Sequence, residues 1–236
     1  MLKWRMRIVA LSTLRAFWLK HPDAETPLRA WYALASRANW KTPGDIKAAY
    51  RNASFVADRR VVFNIKGNDY RLVVAVRYDR GLMYIRFIGT HRQYDRIDVE
   101  AIWEADMELK PIRNKKEYQE ALAEVELLWD APARSAASDR LDVLAMLVEN
   151  YERRHFPITD PDPIEFLGHV MESRGLTRKD LEAYIGPRGR VADILNRTRP
   201  LTLEMIRRLA DGLQLPAEVL IKPYRLRHEA GELVAA

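Results

Sequence analysis

The sequence predicts two folds in series: an α+β domain with two N-terminal helices on an antiparallel sheet, then an all-α half. Three observations carry that expectation. Between residues 54 and 88 the apolar residues fall in short β-rich runs divided by turn signals, whereas beyond about residue 107 every apolar run has helical period. At the same place Met107-Glu-Leu-Lys-Pro-Ile-Arg113 reads like the start of a chain rather than a linker. Charge changes there too: residues 1–106 hold 19 Lys+Arg against 11 Asp+Glu, and residues 107–236 hold 20 against 22. A basic half followed by a slightly acidic one points to a polyanion binder that carries its own electrostatic partner.

In chain order, Ser12 or Thr13 is expected to cap a helix reaching Lys20, halted by His21-Pro22. Residues 25–38 form a second helix with Leu28, Trp31, Tyr32, Leu34 and Ala35 on one face. Thr42-Pro43-Gly44-Asp45 breaks the pattern before a short turn over residues 46–50. Strands are expected at 54–57, 61–65, 70–78 and 82–88, the last two joined at Asp79-Arg80-Gly81, where Gly accommodates a positive φ. A helix over 96–104 closes the domain.

The second half opens with Asn114-x-x-Glu117, a capping-box pattern that starts a helix reaching about Asp130. An amphipathic helix over 138–155 follows, with Leu141, Leu144, Ala145 and Val148 on one face, then a proline-rich connector ending at Pro163. Asp162 caps a helix over 163–174, with Pro at its first position and Gly175 just past its end. Short helices are expected at 178–185, 188–196, 202–212 and 216–221, the first opened by Thr177-x-x-Asp180. Residues 223–236 form a tail.

Composition narrows the chemistry. At 48% hydrophobic and 31% charged, the 236 residues suffice for two domains with real cores. No apolar run approaches the ~20 residues that span a bilayer, and Arg15 interrupts the apolar run near the N-terminus, so a cytoplasmic protein with no membrane partner is expected. The absence of cysteine excludes disulfides, thiolate catalysis and Cys-ligated zinc. His21, His155, His169 and His228 lack ligand spacing, so neither a metal site nor a cofactor is expected.

The stretch 64–95 carries the catalytic signal. Arg71, Arg77 and Arg86 lie within or at the ends of strands, where a purely structural sheet would favour Thr or Val. Thr90-His91-Arg92-Gln-Tyr94-Asp95 then gathers an imidazole, a phenol and cations at a strand exit, a place suited to a phosphodiester. The residues alone leave other readings open: His91 could cap the turn after Gly89, and Tyr94 could pack in the core. Asn64, Gly67, Asn68 and Asp95 suit turns better than catalysis.

A second signal lies between Leu176 and Ile206. Leu181, Ala183 and Ile185, then Gly186, then Val191, Ile194 and Leu195 have the spacing of a helix-turn-helix. Arg188 and Arg190 at the start of its second helix can reach base edges, while Asn196, Arg197 and Arg199 past its end suit phosphates. This segment, some 60 residues, resembles the lambda-repressor-like (Xre) class. Arg190-Val-Ala-Asp-Ile-Leu-Asn196 and Arg199-Pro-Leu-Thr-Leu-Glu-Met-Ile206 resemble HigA antitoxins more closely. It departs from them at Arg197-Thr198, where that family has Gly-Lys.

Phe63-Asn64-Ile-Lys66-Gly67-Asn68, Tyr70-Arg71-Leu72, Tyr84-Ile-Arg86 and Gly89-Thr90-His91-x-x-Tyr94-Asp95 resemble HigB toxins, a branch of the RelE/ParE superfamily, over about residues 6–104. The resemblance implies a RelE-like fold and a metal-free endoribonuclease that cleaves mRNA on the ribosome by driving the ribose 2′-OH onto the adjacent phosphate. It assigns Arg71 and Arg86 to phosphate binding and transition-state charge, and His91 to acid/base work. Tyr94 stacks or supports proton transfer, and Lys66 and Arg92 bind the RNA backbone.

The chain is then expected to be a toxin (1–106), an antitoxin helical segment and linker (107–160) and a helix-turn-helix domain (161–222). Its acidic half would neutralise or cover the basic half, and it would repress operator DNA as a homodimer or higher oligomer. The rival expectation is a transcription regulator with an inactive toxin-like scaffold. A gyrase-directed toxin of the ParE kind is disfavoured by the His91 block.

Overall fold

The computed structural model describes residues 5–56, 59–90, 93 and 110–227. The expected helix over 96–104 lies outside them. Two compact units result, and neither is continuous in sequence: one comprises residues 1–24, 39–41 and 54–157, the other residues 25–38, 42–53 and 158–236. Each therefore draws on both sides of the expected boundary at residue 106.

The first unit is built on a five-stranded sheet in the order β1-β5-β4-β3-β2. Its strands are β1 (Arg7–Val9), β2 (Ser54–Val56), β3 (Arg60–Ile65), β4 (Tyr70–Arg77) and β5 (Leu82–Thr90). β2 to β5 form the expected antiparallel meander, but β1 pairs parallel to β5, Ile8 opposite Met83, so the sheet is mixed. Sequence reasoning missed β1 because three residues are too few to show alternation.

Helix α1 (Leu11–Trp18) leaves β1 through Ala10, which holds φ 69, and packs against β5. This left-handed exit starts the helix earlier than expected, so Ser12 and Thr13 fall inside it and neither caps it. Of the two N-terminal helices, α1 belongs to the sheet unit and α2 (Glu25–Ala35) to the other unit.

A bulge shapes the sheet's functional face. Val73 pairs with Phe87 but Val74 pairs with Ile85, leaving Arg86 as the extra residue of β5. The period-2 alternation then places Arg71, Val73, Ala75 and Arg77 of β4 on the face that also carries Tyr84 and Leu82 of β5. Helices α4 (Lys115–Leu127) and α5 (Ala136–His155) form an antiparallel hairpin, capped by the side chains of Asn114 and Ser135, and complete this unit. Glu117 reaches back to the Arg113 N–H at 2.7 Å, one residue before the position a capping box uses.

The second unit is all-α. It contains α2, α3 (Pro43–Ala49), α6 (Pro163–Arg174), α7 (Glu182–Ile185), α8 (Arg188–Leu195), α9 (Leu203–Leu213) and α10 (Ala217–Leu220). The expected break at Thr42–Asp45 is instead the start of α3: Thr42 and Asp45 form a reciprocal capping box, with Pro43 at the first helical position. The Asp162 cap and the left-handed Gly175 stand as the sequence indicates, and α6 packs against α2, α3, α8 and α10.

Leu14 is fully buried where α1 meets the sheet. Leu14→Ala is expected to destabilise the sheet unit by about 2–5 kcal/mol, read as a lowered urea midpoint for loss of β-sheet circular dichroism.

Candidate active site and nucleic-acid interface

Arg71 and Arg86, the two cations assigned to phosphate, are brought to the same region of one face but meet different environments. Arg71 faces Gly89 across the strand pair, and its guanidinium donates to the Asn68 carbonyl at 3.1 Å. No carboxylate pairs with it among the described residues. Arg86 lies 5.4 Å over the Tyr84 ring and forms an ion pair with Glu126 of α4. Its Nε is buried and has no hydrogen-bond partner among the described residues, an N–H donor left unused on a phosphate-binding candidate. Arg77, by contrast, is 2% exposed and donates to the Trp129 and Ala131 carbonyls, so it anchors the turn after α4.

The helical hairpin therefore lies on the face that carries the candidate chemistry. Besides Glu126, Trp129 packs its ring 5.8 Å from that of Tyr84, whose hydroxyl sits 3.5 Å from Glu126. Further along, Asp142 of α5 engages Arg7 of β1 at 3.2 Å and also Arg80, which donates to the Ser138 carbonyl at 3.0 Å. Burial and the neighbouring Glu126 both raise the Tyr84 phenol above its usual range, so it is a neutral hydrogen-bond donor. Glu126 and Trp129 escaped the sequence reading because no local period links them to residues some 40 positions earlier.

Glu152 of α5 fixes the far end of the hairpin. It is fully buried, accepts from the Leu11 N–H at 2.8 Å and from the Tyr118 hydroxyl, and so caps the start of α1, which Ala10 cannot do. Burial outweighs these donors and pushes its carboxyl up to about 7.

At the β3–β4 turn, Lys66 holds φ 52 and pairs with Asp23 at 2.6 Å and Asp69 at 3.4 Å. Asp23 also accepts from the Tyr70 hydroxyl at 2.9 Å, and His21, stacked on Phe17, lies beside Tyr70. Lys66 is thus paired with two carboxylates rather than a free cation. Tyr70 and Arg71 are adjacent in β4, so this cluster projects to the opposite face from Arg71. His91, Arg92 and Tyr94 lie outside the described residues; Gln93 accepts from the Thr90 N–H at 2.9 Å at the strand exit.

In the second unit, Arg188 and Arg190 are exposed at the start of α8, and Asn196 is exposed at its end. Arg199 is exposed and lies 3.3 Å from Asp193. Arg197 behaves differently. It adopts φ 62, and its guanidinium grips Asp162 in two hydrogen bonds of 2.8 and 2.9 Å. The left-handed turn after Asn196 is therefore made by an arginine, which links the α6 cap to the end of α8.

Two buried groups give opposite pH signatures. Glu152 binds its proton more tightly folded than unfolded, so the stability of the sheet unit should fall as pH rises from about 4.5 to 7, by about 2–3 kcal/mol at most, and Glu152→Gln should flatten that slope. Burial of His169 in α6 lowers its pKa to about 4, so the second unit should lose stability as pH falls from about 6.5 to 4. Hydrogen exchange of each unit against pH separates the two slopes.

Comparison with known proteins finds two families in the chain. A model described as the RelE-like toxic component of a toxin–antitoxin system, HigB toxin, matches residues 24–97, and a helix-turn-helix model matches residues 169–220. The chain is 30% identical over 93 residues to the mRNA interferase toxin HigB of Escherichia coli (strain K12), covering 88% of that protein and 38% of this one. The mRNA interferase HigB of Shigella flexneri aligns to the same extent, 30% over 93 residues. The basic sheet and the helix-turn-helix are thus two recognisable parts of one polypeptide, and the chain belongs to the HigB family of RelE-like toxins, carried here together with a helix-turn-helix domain.

Proposed function

We propose that this chain is a toxin and its antitoxin in a single polypeptide, an mRNA endoribonuclease held silent by its own α4–α5 hairpin and tied to a DNA-binding repressor domain. The observation that carries the reading is the Glu126 carboxylate on Arg86, within a hairpin laid over the face that also bears Tyr84 and Arg71. A carboxylate and a phosphate oxygen compete for the same guanidinium donors.

In the released toxin, Arg71 and Arg86 hold the scissile phosphate and take up the charge that builds on its oxygens as the ribose 2′-OH attacks. His91 exchanges protons with the 2′-OH or the departing 5′-oxygen, and Tyr94 stacks on a base or assists that transfer. Arg92 steadies the RNA backbone. Lys66 adds less, because Asp23 and Asp69 already share its charge. The substrate is mRNA on the ribosome, and no cofactor takes part.

On DNA, Arg188 and Arg190 read base edges while Asn196 and Arg199 grip phosphates; Arg197 sets the position of α8 through Asp162. Repression uses a homodimer, since twofold half-sites require twofold protein symmetry.

Two outcomes test the two arms. Induction of full-length Glu126→Ala should arrest growth with new ribosome-dependent cuts in mRNA, and adding Arg86→Ala should relieve it, lowering cleavage by about 100-fold or more. Continued growth of a folded Glu126→Ala chain would count against the hairpin as inhibitor. Arg188→Ala with Arg190→Ala should weaken binding to duplex DNA from upstream of its own coding sequence, and Arg199→Ala should lower the salt slope by about 1.

A further inference from the structure

The second unit holds a contact that neither the toxin reading nor the helix-turn-helix reading requires. Its helices α2 and α3 lie within the HigB-matched stretch, residues 24–97, while α6 spans the start of the helix-turn-helix match at residue 169. These pieces share one core. Leu28, Trp31, Ala33 and Ala35 of α2 and Ile46 of α3 are all fully buried, as are Phe166 and Leu167 of α6.

The join is specific as well as apolar. His169 and Ser173, one helical turn apart on α6, meet the end of α3: the Tyr50 hydroxyl lies 3.5 Å from His169 Nε2, and the Arg51 N–H donates to the Ser173 carbonyl at 2.9 Å. Around this seam α2 is clamped to the connector before α6. Arg29 donates to the Thr159 and Asp160 carbonyls, both at 2.9 Å, and Arg37 pairs with Asp160 at 2.9 Å and with Glu218 of α10 at 3.0 Å. Lys222 closes the cluster on Asp160 at 2.8 Å. Without α2 and α3, the His169–Ser173 side of α6 would stand open to water and Asp160 would lose Arg37.

We propose that the His169–Ser173 side of α6 is a docking surface for the α2–α3 helices of the HigB-matched segment, so that residues 25–53 complete the DNA-binding body formed by residues 158–227. The minimal repressor is then not the helix-turn-helix alone. α6 carries both the seam and the Asp162 carboxylate that grips Arg197 at the end of α8, so undocking α2 and α3 loosens the support of the DNA-reading helix. The toxin-matched sequence thereby becomes a structural condition for DNA binding. This inference rests on the packing of the second unit and is independent of any ribonuclease activity.

Hydrogen exchange on the full-length chain tests it. His169→Asp, which puts a charge into the seam, should speed exchange of the α2 and α3 amides at least tenfold while leaving β3, β4 and β5 amides unchanged. The reciprocal Trp31→Ala should speed exchange across α6 and α8 and weaken binding to a duplex of the chain's own upstream DNA, again without moving the sheet. Unchanged exchange in α2 and α3 on His169→Asp, or unchanged exchange in α6 on Trp31→Ala, would overturn the proposal. So would α2 and α3 amides that open together with the sheet in either variant.

Discussion

Covering a basic sheet face with an acidic helix is the constraint on which the sheet unit depends. Arg71, Arg77 and Arg86 on one face of β4 and β5 would repel one another and leave guanidinium donors poorly solvated if that face were simply buried. Each is answered differently. Arg77 pairs with Asp79 beside it and donates to backbone carbonyls just past α4, Arg86 meets Glu126 of α4, and Arg71 donates to the Asn68 and Tyr70 carbonyls. Removing Glu126 leaves Arg86, 17% exposed, without this counter-charge; in the proposed function an RNA phosphate would supply an equivalent one. On the proposed function, inhibition and substrate binding would draw on the same electrostatic need, and a single carboxylate would govern the site.

The same need shapes the rest of the hairpin. Asp142 answers Arg7 and Arg80, and Glu152 answers the open N-terminus of α1, so with Glu126 on Arg86 acidic groups of one segment meet donors of the other at three places among the described residues. Among the described residues, part of the uneven charge of the two halves is thus met in discrete contacts. Glu152 is the most deeply buried member. The donors of Leu11 and Tyr118 favour its charged form, but burial outweighs them.

What was legible in the sequence was local. The Asp162 cap, the left-handed Gly175, the Gly186 turn and the β4–β5 hairpin at Gly81 are all written within four or five residues, and each stands where expected. β1 was illegible because its three residues merge with the apolar start of α1, and α3 was misread because Pro43-Gly44 suggests a break unless Thr42 and Asp45 are read as a reciprocal cap. The fusion of a HigB-like toxin with a helix-turn-helix was visible from its motifs, and the family comparisons agree. Partners distant in sequence were not visible. Nothing local ties Glu126 to Arg86, Tyr50 to His169, or Arg197 to Asp162, and the departure from Gly at position 197 made sense only once its ion pair was seen. The division into units also escaped the sequence, since composition changes at residue 106 whereas packing exchanges segments across that point.

On the proposed function, RNA and the α4 helix compete for one face of the sheet. The most direct measurement is hydrogen exchange of the α4 amides, residues 118–127, in the full chain bound to ribosomes programmed with mRNA carrying a 2′-deoxy substitution at the reactive sugar. On binding, α4 should lose protection while β4 and β5 keep theirs. Demonstrated binding with α4 protection intact would contradict it and place the RNA elsewhere on the molecule.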